Sequence, residues 1–171
     1  MRRIALAFAL IALSACSPAK KSGPDSGVSA EAQKNEAAGA AFLAKNAMQP
    51  GVMTTASGLQ YKIVREGPAN GYHPKGGDDV KVNYEGTLLD GTVFDSSYTS
   101  GQPAVFRLNT LISAWIEGIG LMKPGDEFML YAPAKLAYGD DSPGKIPPGS
   151  TLVFKIELLG VLRADGGVAQ G

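Results

Sequence analysis

The chain holds very few of the side chains that usually carry covalent or metal chemistry. Its 171 residues include one cysteine, Cys16, and one histidine, His73. These numbers exclude an intramolecular disulfide and a metal site of clustered cysteine and histidine. A nucleophile paired with histidine would need His73, which precedes Pro74 in a glycine-rich stretch typical of an exposed loop. We therefore expect no metal, no cofactor and no histidine-assisted nucleophile.

Cys16 follows a short apolar run near the start of the chain. Residues 1 to 3 read Met-Arg-Arg, and residues 4 to 13 are almost wholly apolar. A bilayer-spanning helix needs about 20 such residues, so this order is typical of a secretory signal peptide instead. Residues 13 to 16, Leu-Ser-Ala-Cys, resemble the bacterial lipobox, in which the cysteine is lipidated and becomes the new N-terminus. An ordinary signal peptide with a chance cysteine is the alternative.

The lipobox implies a protein that is anchored to a membrane by lipid at Cys16 and does not span it. Two or more acyl chains are enough for stable anchoring. Ser17 follows the cysteine. In the lipoprotein sorting pattern that it resembles, an aspartate at this position would favour the inner membrane. We therefore expect a bacterial envelope location, at the outer membrane and facing the periplasm.

Two segments separate this leader, residues 1 to 15, from a folded domain. Residues 16 to 30 are rich in serine, proline and glycine, which predicts a flexible tether. Residues 31 to 50 are alanine-rich and predict a short helix, with Ser29 as its N-cap and Pro50 in its stop signal. The apolar stripe of this helix is thin. It could pack lightly on the domain, help a dimer to form, or stay solvated and partly frayed.

The charge balance argues against nucleic-acid binding. The chain has 16 basic and 16 acidic residues, and a nucleic-acid partner would require a basic face. Its length favours one domain plus extensions, and its 44% of hydrophobic residues suffices for a core. We place this domain at residues 51 to 162 and expect residues 163 to 171 to be a disordered tail.

After Gly58 the hydrophobic pattern has a period of two residues, which indicates β-strands. The alternating positions are Leu59, Tyr61 and Ile63; Val80, Val82 and Tyr84; Phe128, Leu130 and Ala132; and Leu152, Phe154, Ile156 and Leu158. Asp90-Gly91 predicts a hairpin turn. Apolar residues from Leu111 to Ile119 recur at helical spacing. The sequence therefore predicts an α+β fold, in which one short helix covers an antiparallel sheet.

Three blocks of sequence, in order, resemble the FKBP-type peptidyl-prolyl cis-trans isomerases. They are residues 82 to 97, from Val-Asn-Tyr-Glu-Gly to Phe-Asp-Ser-Ser; residues 103 to 118, with Phe-Arg-Leu and Ser-Ala-Trp-Ile-Glu-Gly; and residues 136 to 154, with Leu-Ala-Tyr-Gly and Ile-Pro-Pro-Gly-Ser-Thr-Leu-Val-Phe. Residues 51 to 61 are similar to the approach to this domain in the Mip-like bacterial branch. In that branch a longer N-terminal helical region forms a dimer. The region is short here, so we expect a monomer or a weak dimer.

The resemblance implies a strongly twisted antiparallel sheet wrapped around one short helix, with a pocket between them. It implies catalytic roles for Tyr84, Phe94, Asp95, Tyr138 and Phe154, and substrate-binding roles for Phe106, Leu111, Ile112, Trp115 and Ile146. Trp115 would form the floor of the pocket. The Tyr138 hydroxyl and the Ile146 backbone N–H would donate to substrate carbonyls, and Asp95 would sit near the twisting imide. Residues 140 to 145 would form a mobile flap.

The chain departs from the family pattern just before Trp115. The family usually has glycine at the position of Ala114, and proline, arginine or lysine is commoner at the position of Ser113. Both residues start the predicted helix, so they could shift the rim of the pocket. Neither departure removes a pocket side chain.

Prolyl isomerisation suits a chain without nucleophile or metal, because no bond is made or broken. The reaction is a rotation with a barrier of about 18–20 kcal/mol, since it breaks amide resonance. The planar amide is more polar than the twisted one, so a dry aromatic pocket disfavours the ground state relative to the transition state.

The resemblance implies two kinds of ligand: proline-containing polypeptides, unfolded or folding, and FKBP-directed macrolide inhibitors. Two alternatives to an isomerase of envelope proteins remain open. One is a non-catalytic holdase that binds unfolded chains in the same apolar cleft. The other is a surface-displayed binding module that faces a host or partner protein.

Overall fold

The computed structural model of the chain describes residues 29 to 170. The predicted signal peptide, Cys16 with its predicted lipidation, and the rest of the predicted tether up to residue 28 lie outside this range. None of the helices within residues 29 to 170 is both long and apolar enough to cross a membrane.

The described part of the chain is a mixture of short helices and antiparallel strands. In chain order, the helices and strands are α1 (Ala30–Asn46), β1 (Val52–Thr54), β2 (Gln60–Arg65), β3 (Asp79–Leu88), β4 (Val93–Ser96), α2 (Ser97–Ser100), β5 (Ala104–Arg107), α3 (Ser113–Gly120), β6 (Glu127–Ala132), β7 (Leu152–Leu162) and β8 (Val168–Gln170). Single turns of 3₁₀ helix lie at Leu108–Thr110 and Ala134–Leu136.

The strands form one antiparallel sheet in the order β1-β2-β6-β7-β3-β4. Strand β5 pairs with the first half of β3, and β8 pairs with the last residues of β7. The longest ladder joins β3 to β7, from Asp79↔Leu162 to Leu88↔Leu152. The predicted α+β class, with an antiparallel sheet around a short helix, is confirmed.

The core lies between α3 and the inner face of the sheet. The alternating residues of β3, β6 and β7 that the sequence predicted to point inward are buried, among them Val82, Leu130 and Ile156. Helix α3 covers them with Ala114, Trp115 and Ile119. Its Gly118 permits a close approach, since a β-carbon there would lie 2.5 Å from Leu130 Cδ1.

The helix begins two residues later than its hydrophobic pattern suggested. Ile112 has extended dihedral angles (φ −61°, ψ 151°) and occupies the N-cap position. Leu111 and Ile112 therefore precede α3 and belong to the loop that leads into it.

The hairpin turn predicted at Asp90-Gly91 joins β3 to β4. The N–H of Leu88 donates to the Thr92 carbonyl at 2.9 Å, and Asp90 Oδ1 accepts from the Thr92 N–H. Gly91 has a φ of +87°, a value that glycine adopts at no steric cost.

Helix α1 packs on the domain, which is one of the arrangements that its sequence allowed. Its N-cap is Ser29, as predicted, whose Oγ accepts from the Ala32 N–H at 3.1 Å. Asn46 Nδ2 donates to Gln60 Oε1 and Gln60 Nε2 donates to the Leu43 carbonyl, each at 2.9 Å. These amide contacts fix a helix whose apolar stripe is thin, as the sequence indicated.

The prediction of a disordered tail is wrong for residues 163 to 170. The chain turns at Gly166, and β8 pairs antiparallel with the end of β7. The Ala164 N–H also donates to the buried Asp78 Oδ1 at 2.9 Å. This segment is held by strand pairing and by a carboxylate 86 positions away from Ala164, and local sequence patterns do not reveal either partner.

Candidate functional site

Nine of the ten predicted pocket residues line one cleft between α3 and the sheet. The cleft has a volume of about 180 Å³, and its lining residues are Tyr84, Phe94, Asp95, Phe106, Leu111, Ile112, Trp115, Tyr138 and Phe154. Strands β3, β4, β5 and β7 contribute five of them, the loop before α3 and α3 itself contribute three, and Tyr138 follows β6. The fold therefore gathers residues that are up to 70 positions apart in the chain (Tyr84 to Phe154).

The floor of the cleft is Trp115, which is 4% exposed. Three aromatic rings pack edge-on against its indole, with ring centroids at 5.0 Å for Tyr84, 5.5 Å for Phe154 and 5.9 Å for Phe106. Edge-to-face packing of this kind stabilises aromatic clusters beyond simple burial. The indole Nε1 is buried without a hydrogen-bond partner among residues 29 to 170. Native cores rarely contain such an unpaired group.

Tyr84 and Asp95 form the polar side of the cleft. The Tyr84 hydroxyl donates to Asp95 Oδ2 at 2.7 Å. Burial raises the pKa of Tyr84 far above its usual range, and the hydrogen bond to Asp95 raises it further. Tyr84 is therefore a protonated donor at neutral pH, and the Asp95 carboxylate is held in one orientation.

Ser97 holds the backbone of Tyr84 in place from the neighbouring segment. Its Oγ accepts from the Tyr84 N–H at 2.9 Å and donates to the Tyr84 carbonyl at 3.3 Å. This bridge joins β3 to the start of α2, directly after the β4 strand that carries Asp95. The buried Ser97 side chain therefore fixes the backbone position of Tyr84, and with it the Tyr84–Asp95 pair.

Ile146 is the predicted pocket residue that the structure does not bring to the cleft wall. Its side chain belongs to the hydrophobic core and is 6% exposed. Its backbone N–H donates to the Pro143 carbonyl at 3.1 Å, within a turn of the loop that follows Tyr138. The donor that the resemblance assigned to Ile146 is therefore already engaged.

Two other donors at the cleft are free. The Tyr138 side chain is 38% exposed, and its hydroxyl takes part in no hydrogen bond within residues 29 to 170. The backbone N–H of Ile112 likewise has no acceptor in that range, because Ile112 stands at the N-cap of α3. The sequence indicated Ile112 only for its side chain. The start of an α-helix, where backbone N–H groups lack partners, was the signal that could have pointed to this donor.

Gly86 is a site residue that sequence reasoning missed. A β-carbon on it would lie 2.6 Å from Phe94 Cζ and 3.1 Å from Phe154 Cε1. The absence of a side chain lets these two rings meet edge to face, with centroids 5.8 Å apart. A glycine inside a strand pattern is the sequence signal for such a close approach.

The two departures from the family pattern lie beside the cleft and not in its lining. Ser113 is exposed on the first turn of α3, and Ala114 is fully buried in the core. The lining residue that follows them, Trp115, keeps its contacts with three rings.

A second, open depression adjoins the cleft on the β4 side. It has a volume of about 400 Å³ and shares Phe94 and Asp95 with the cleft. Hydroxyl groups of Ser96, Thr99 and Ser100 and the side chain of Lys145 line the rest of it, with Val93. Within residues 29 to 170 no group of three or more His, Cys, Asp or Glu side chains is placed to hold a metal ion.

Comparison with known protein families gives two matches. The model described as FKBP-type peptidyl-prolyl cis-trans isomerase matches residues 71 to 159. The model described as the domain amino terminal to FKBP-type peptidyl-prolyl isomerase matches residues 14 to 63.

Individual relatives agree with these matches. The FKBP-type peptidyl-prolyl cis-trans isomerase FkpA of Aeromonas hydrophila is 47% identical over 142 residues, which cover 82% of this chain and 52% of that protein. The outer membrane protein MIP of Legionella longbeachae is 46% identical, over 78% of this chain and 57% of that protein. The crystal structure of FkpA from Escherichia coli superposes with a TM-score of 0.74 at 48% identity, over 78% of this chain and 62% of that one. The chain thus spans little more than half the length of these curated relatives.

Proposed function

Because the chain belongs to the FKBP-type peptidyl-prolyl cis-trans isomerase family, we propose that it accelerates the rotation of X-Pro peptide bonds. The observation that carries this proposal is the cleft over Trp115. Aromatic rings surround its floor, while the Tyr138 hydroxyl and the Ile112 N–H are free to donate.

The proline ring of the substrate packs on the Trp115 indole, between Tyr84, Phe106 and Phe154. These rings already pack against one another, so they hold the proline at a low cost in conformational entropy. Rotation about the imide bond breaks amide resonance and makes the group less polar. A dry aromatic wall therefore favours the twisted state over the planar one, and this difference in binding lowers the barrier.

Hydrogen bonds orient the peptide on either side of the proline. The Tyr138 hydroxyl and the Ile112 N–H donate to the carbonyls that flank the rotating bond. Asp95, held by Tyr84, lies on the polar side of the cleft, next to the imide carbonyl as it turns. The open depression beyond Phe94 leaves space for the residues that continue the substrate chain.

A protease-coupled assay on an X-Pro peptide tests the proposal. The purified protein should raise the isomerisation rate above the uncatalysed value, and an FKBP-directed macrolide should abolish the increase. A rate equal to the background would overturn the proposal. If a Tyr138→Phe, Asp95→Ala double variant lost isomerase activity but still prevented aggregation, the protein would also have a separate holdase activity.

We further propose that the protein works on folding polypeptides in a bacterial envelope, anchored by lipid at Cys16. The lipobox of residues 13 to 16 supports this, together with the relative named outer membrane protein MIP. A Cys16→Ser variant should leave the membrane fraction and lose incorporation of labelled fatty acid. Retention of the variant at the membrane would contradict the anchor, and digestion by protease added to intact cells would indicate surface display.

A further inference from the structure

Helix α1 faces the domain with residues at alternating spacings of three and four. Ala32 and Gly39 are buried in this face, Asn35 and Phe42 are partly buried, and Asn46 is buried at its end. This spacing puts all five on one side of an α-helix. Most of them are small or carry an amide, so this face allows the helix backbone to come close to the domain.

The first half of this face contacts one short segment, residues 148 to 151. Asn35 Nδ2 donates to the Pro148 carbonyl at 2.9 Å. A β-carbon on Gly149, whose φ is +70°, would collide with the backbone of Ala32. A β-carbon on Gly39 would collide with Thr151 Oγ1 in the same way. Both contacts depend on glycine, one on each side of the interface.

This segment closes the loop that begins at the cleft. The Gly149 N–H donates to the Gly139 carbonyl at 2.8 Å. This hydrogen bond joins the two ends of the loop formed by residues 140 to 148. Gly139 directly follows Tyr138, which lines the cleft. Helix α1 therefore contacts Gly149, which is hydrogen-bonded to the residue next to Tyr138.

We propose that α1 is a clamp on this loop, and that Asn35 and Gly39 position Tyr138 at the cleft from outside it. The clamp holds Gly149 in place and, through the Gly149–Gly139 hydrogen bond, limits the movement of the backbone that carries Tyr138. The effect on catalysis rests on the isomerase function proposed above, whereas the effect on the loop does not.

The test compares wild type with Asn35→Ala and Gly39→Ala in the full-length chain, with Glu36→Ala as a matched control on the exposed side of α1. Alanine has a higher helix propensity than asparagine or glycine, so neither variant weakens the helix itself. The readouts are hydrogen exchange of the amides of residues 139 to 149, kcat and KM on an X-Pro peptide, and the fluorescence of Trp115, the single tryptophan.

Asn35→Ala and Gly39→Ala should speed hydrogen exchange of the loop amides about tenfold and lower kcat/KM about fivefold. The emission maximum of Trp115 should shift in both variants. Glu36→Ala should match wild type in all three. Adding Thr151→Ala to Gly39→Ala removes the hydroxyl that the new methyl group meets, and it should restore slow exchange and most of the activity.

A purely structural role would give another pattern. If both variants lowered the melting temperature but left loop exchange and kcat/KM at wild-type values, the clamp would be overturned. If wild type showed no isomerase activity while loop exchange still responded to Asn35→Ala and recovered in the Gly39→Ala, Thr151→Ala double variant, the proposed function would fail and the clamp would stand. If Gly39→Ala did not fold, Asn35→Ala alone would decide between these results.

Discussion

The hydroxyl of Tyr84 and the carboxylate of Asp95 are joined by a 2.7 Å hydrogen bond across the β3–β4 ladder. The bond links a ring that packs on the cleft floor to the one carboxylate in the cleft lining. It therefore joins the apolar and the polar halves of the site.

Removal of the Tyr84 hydroxyl should change the stability of the protein in a pH-dependent way. Burial and the bond to Asp95 raise the pKa of Tyr84, so its contribution is fully present below the pKa of an unfolded tyrosine, about 10, and is lost as the pH rises further. At neutral pH, Tyr84→Phe should cost roughly 1.5–3 kcal/mol, the value of a hydrogen bond to a charged group. Urea unfolding should show this difference shrinking above about pH 10. A constant difference across that range would contradict this account.

Tyr138→Phe should separate activity from stability. The Tyr138 hydroxyl has no partner within residues 29 to 170, so its removal leaves no group unsatisfied. We expect the melting temperature to stay within about 2 °C of wild type. In the peptide assay kcat/KM should fall roughly tenfold, because one hydrogen bond to the substrate is lost. A large fall in melting temperature would indicate that the hydroxyl stabilises the fold instead.

Gly86→Ala should disturb the aromatic lining of the cleft. The new methyl group would lie 2.6 Å from Phe94 Cζ and 3.1 Å from Phe154 Cε1, so these lining rings must shift. We expect kcat/KM to fall roughly 10- to 100-fold and macrolide affinity to fall with it. Gly76→Ala is the matched control, since its nearest neighbour would be at an ordinary 3.5 Å. Equal activity of the two variants would show that Phe94 has room to adapt.

Asp78→Asn should loosen the C-terminal hairpin. Burial alone would raise the pKa of Asp78, but the hydrogen bonds donated by the Lys75 and Ala164 amides and by Tyr72 lower it. Its contribution to stability is therefore present above the unfolded pKa of about 3.9 and is lost as the pH falls through the folded value. At neutral pH the variant should lose roughly 2 kcal/mol, with faster exchange of the β8 amides.

The neighbouring Asp79 provides the control for Asp78. It forms an exposed ion pair with Arg107, a kind of contact that contributes little. Asp79→Asn should have a much smaller effect on urea unfolding than Asp78→Asn. Similar losses in the two variants would show that burial of Asp78 is not the source of its contribution.

Local sequence patterns determined most of the elements of this protein. The alternation at Val80, Val82 and Tyr84 placed a strand and its inward face, because side chains of a strand point to its two sides in turn. Asp90-Gly91 placed a hairpin, because few residues adopt a positive φ. Resemblance to a family then identified nine side chains that meet in one cleft.

Tertiary structure alone decided which backbone groups are free and which distant segments touch. The N–H of Ile146 donates to Pro143, while that of Ile112 has no acceptor among residues 29 to 170, and this follows from how two loops fold back on the domain. Residues 163 to 170 contact β7 and Asp78, and the close packing of α1 on the domain depends on two glycines. Periodicity reports burial within one element, whereas hydrogen-bond partners and close backbone approaches are set by residues far apart in the chain.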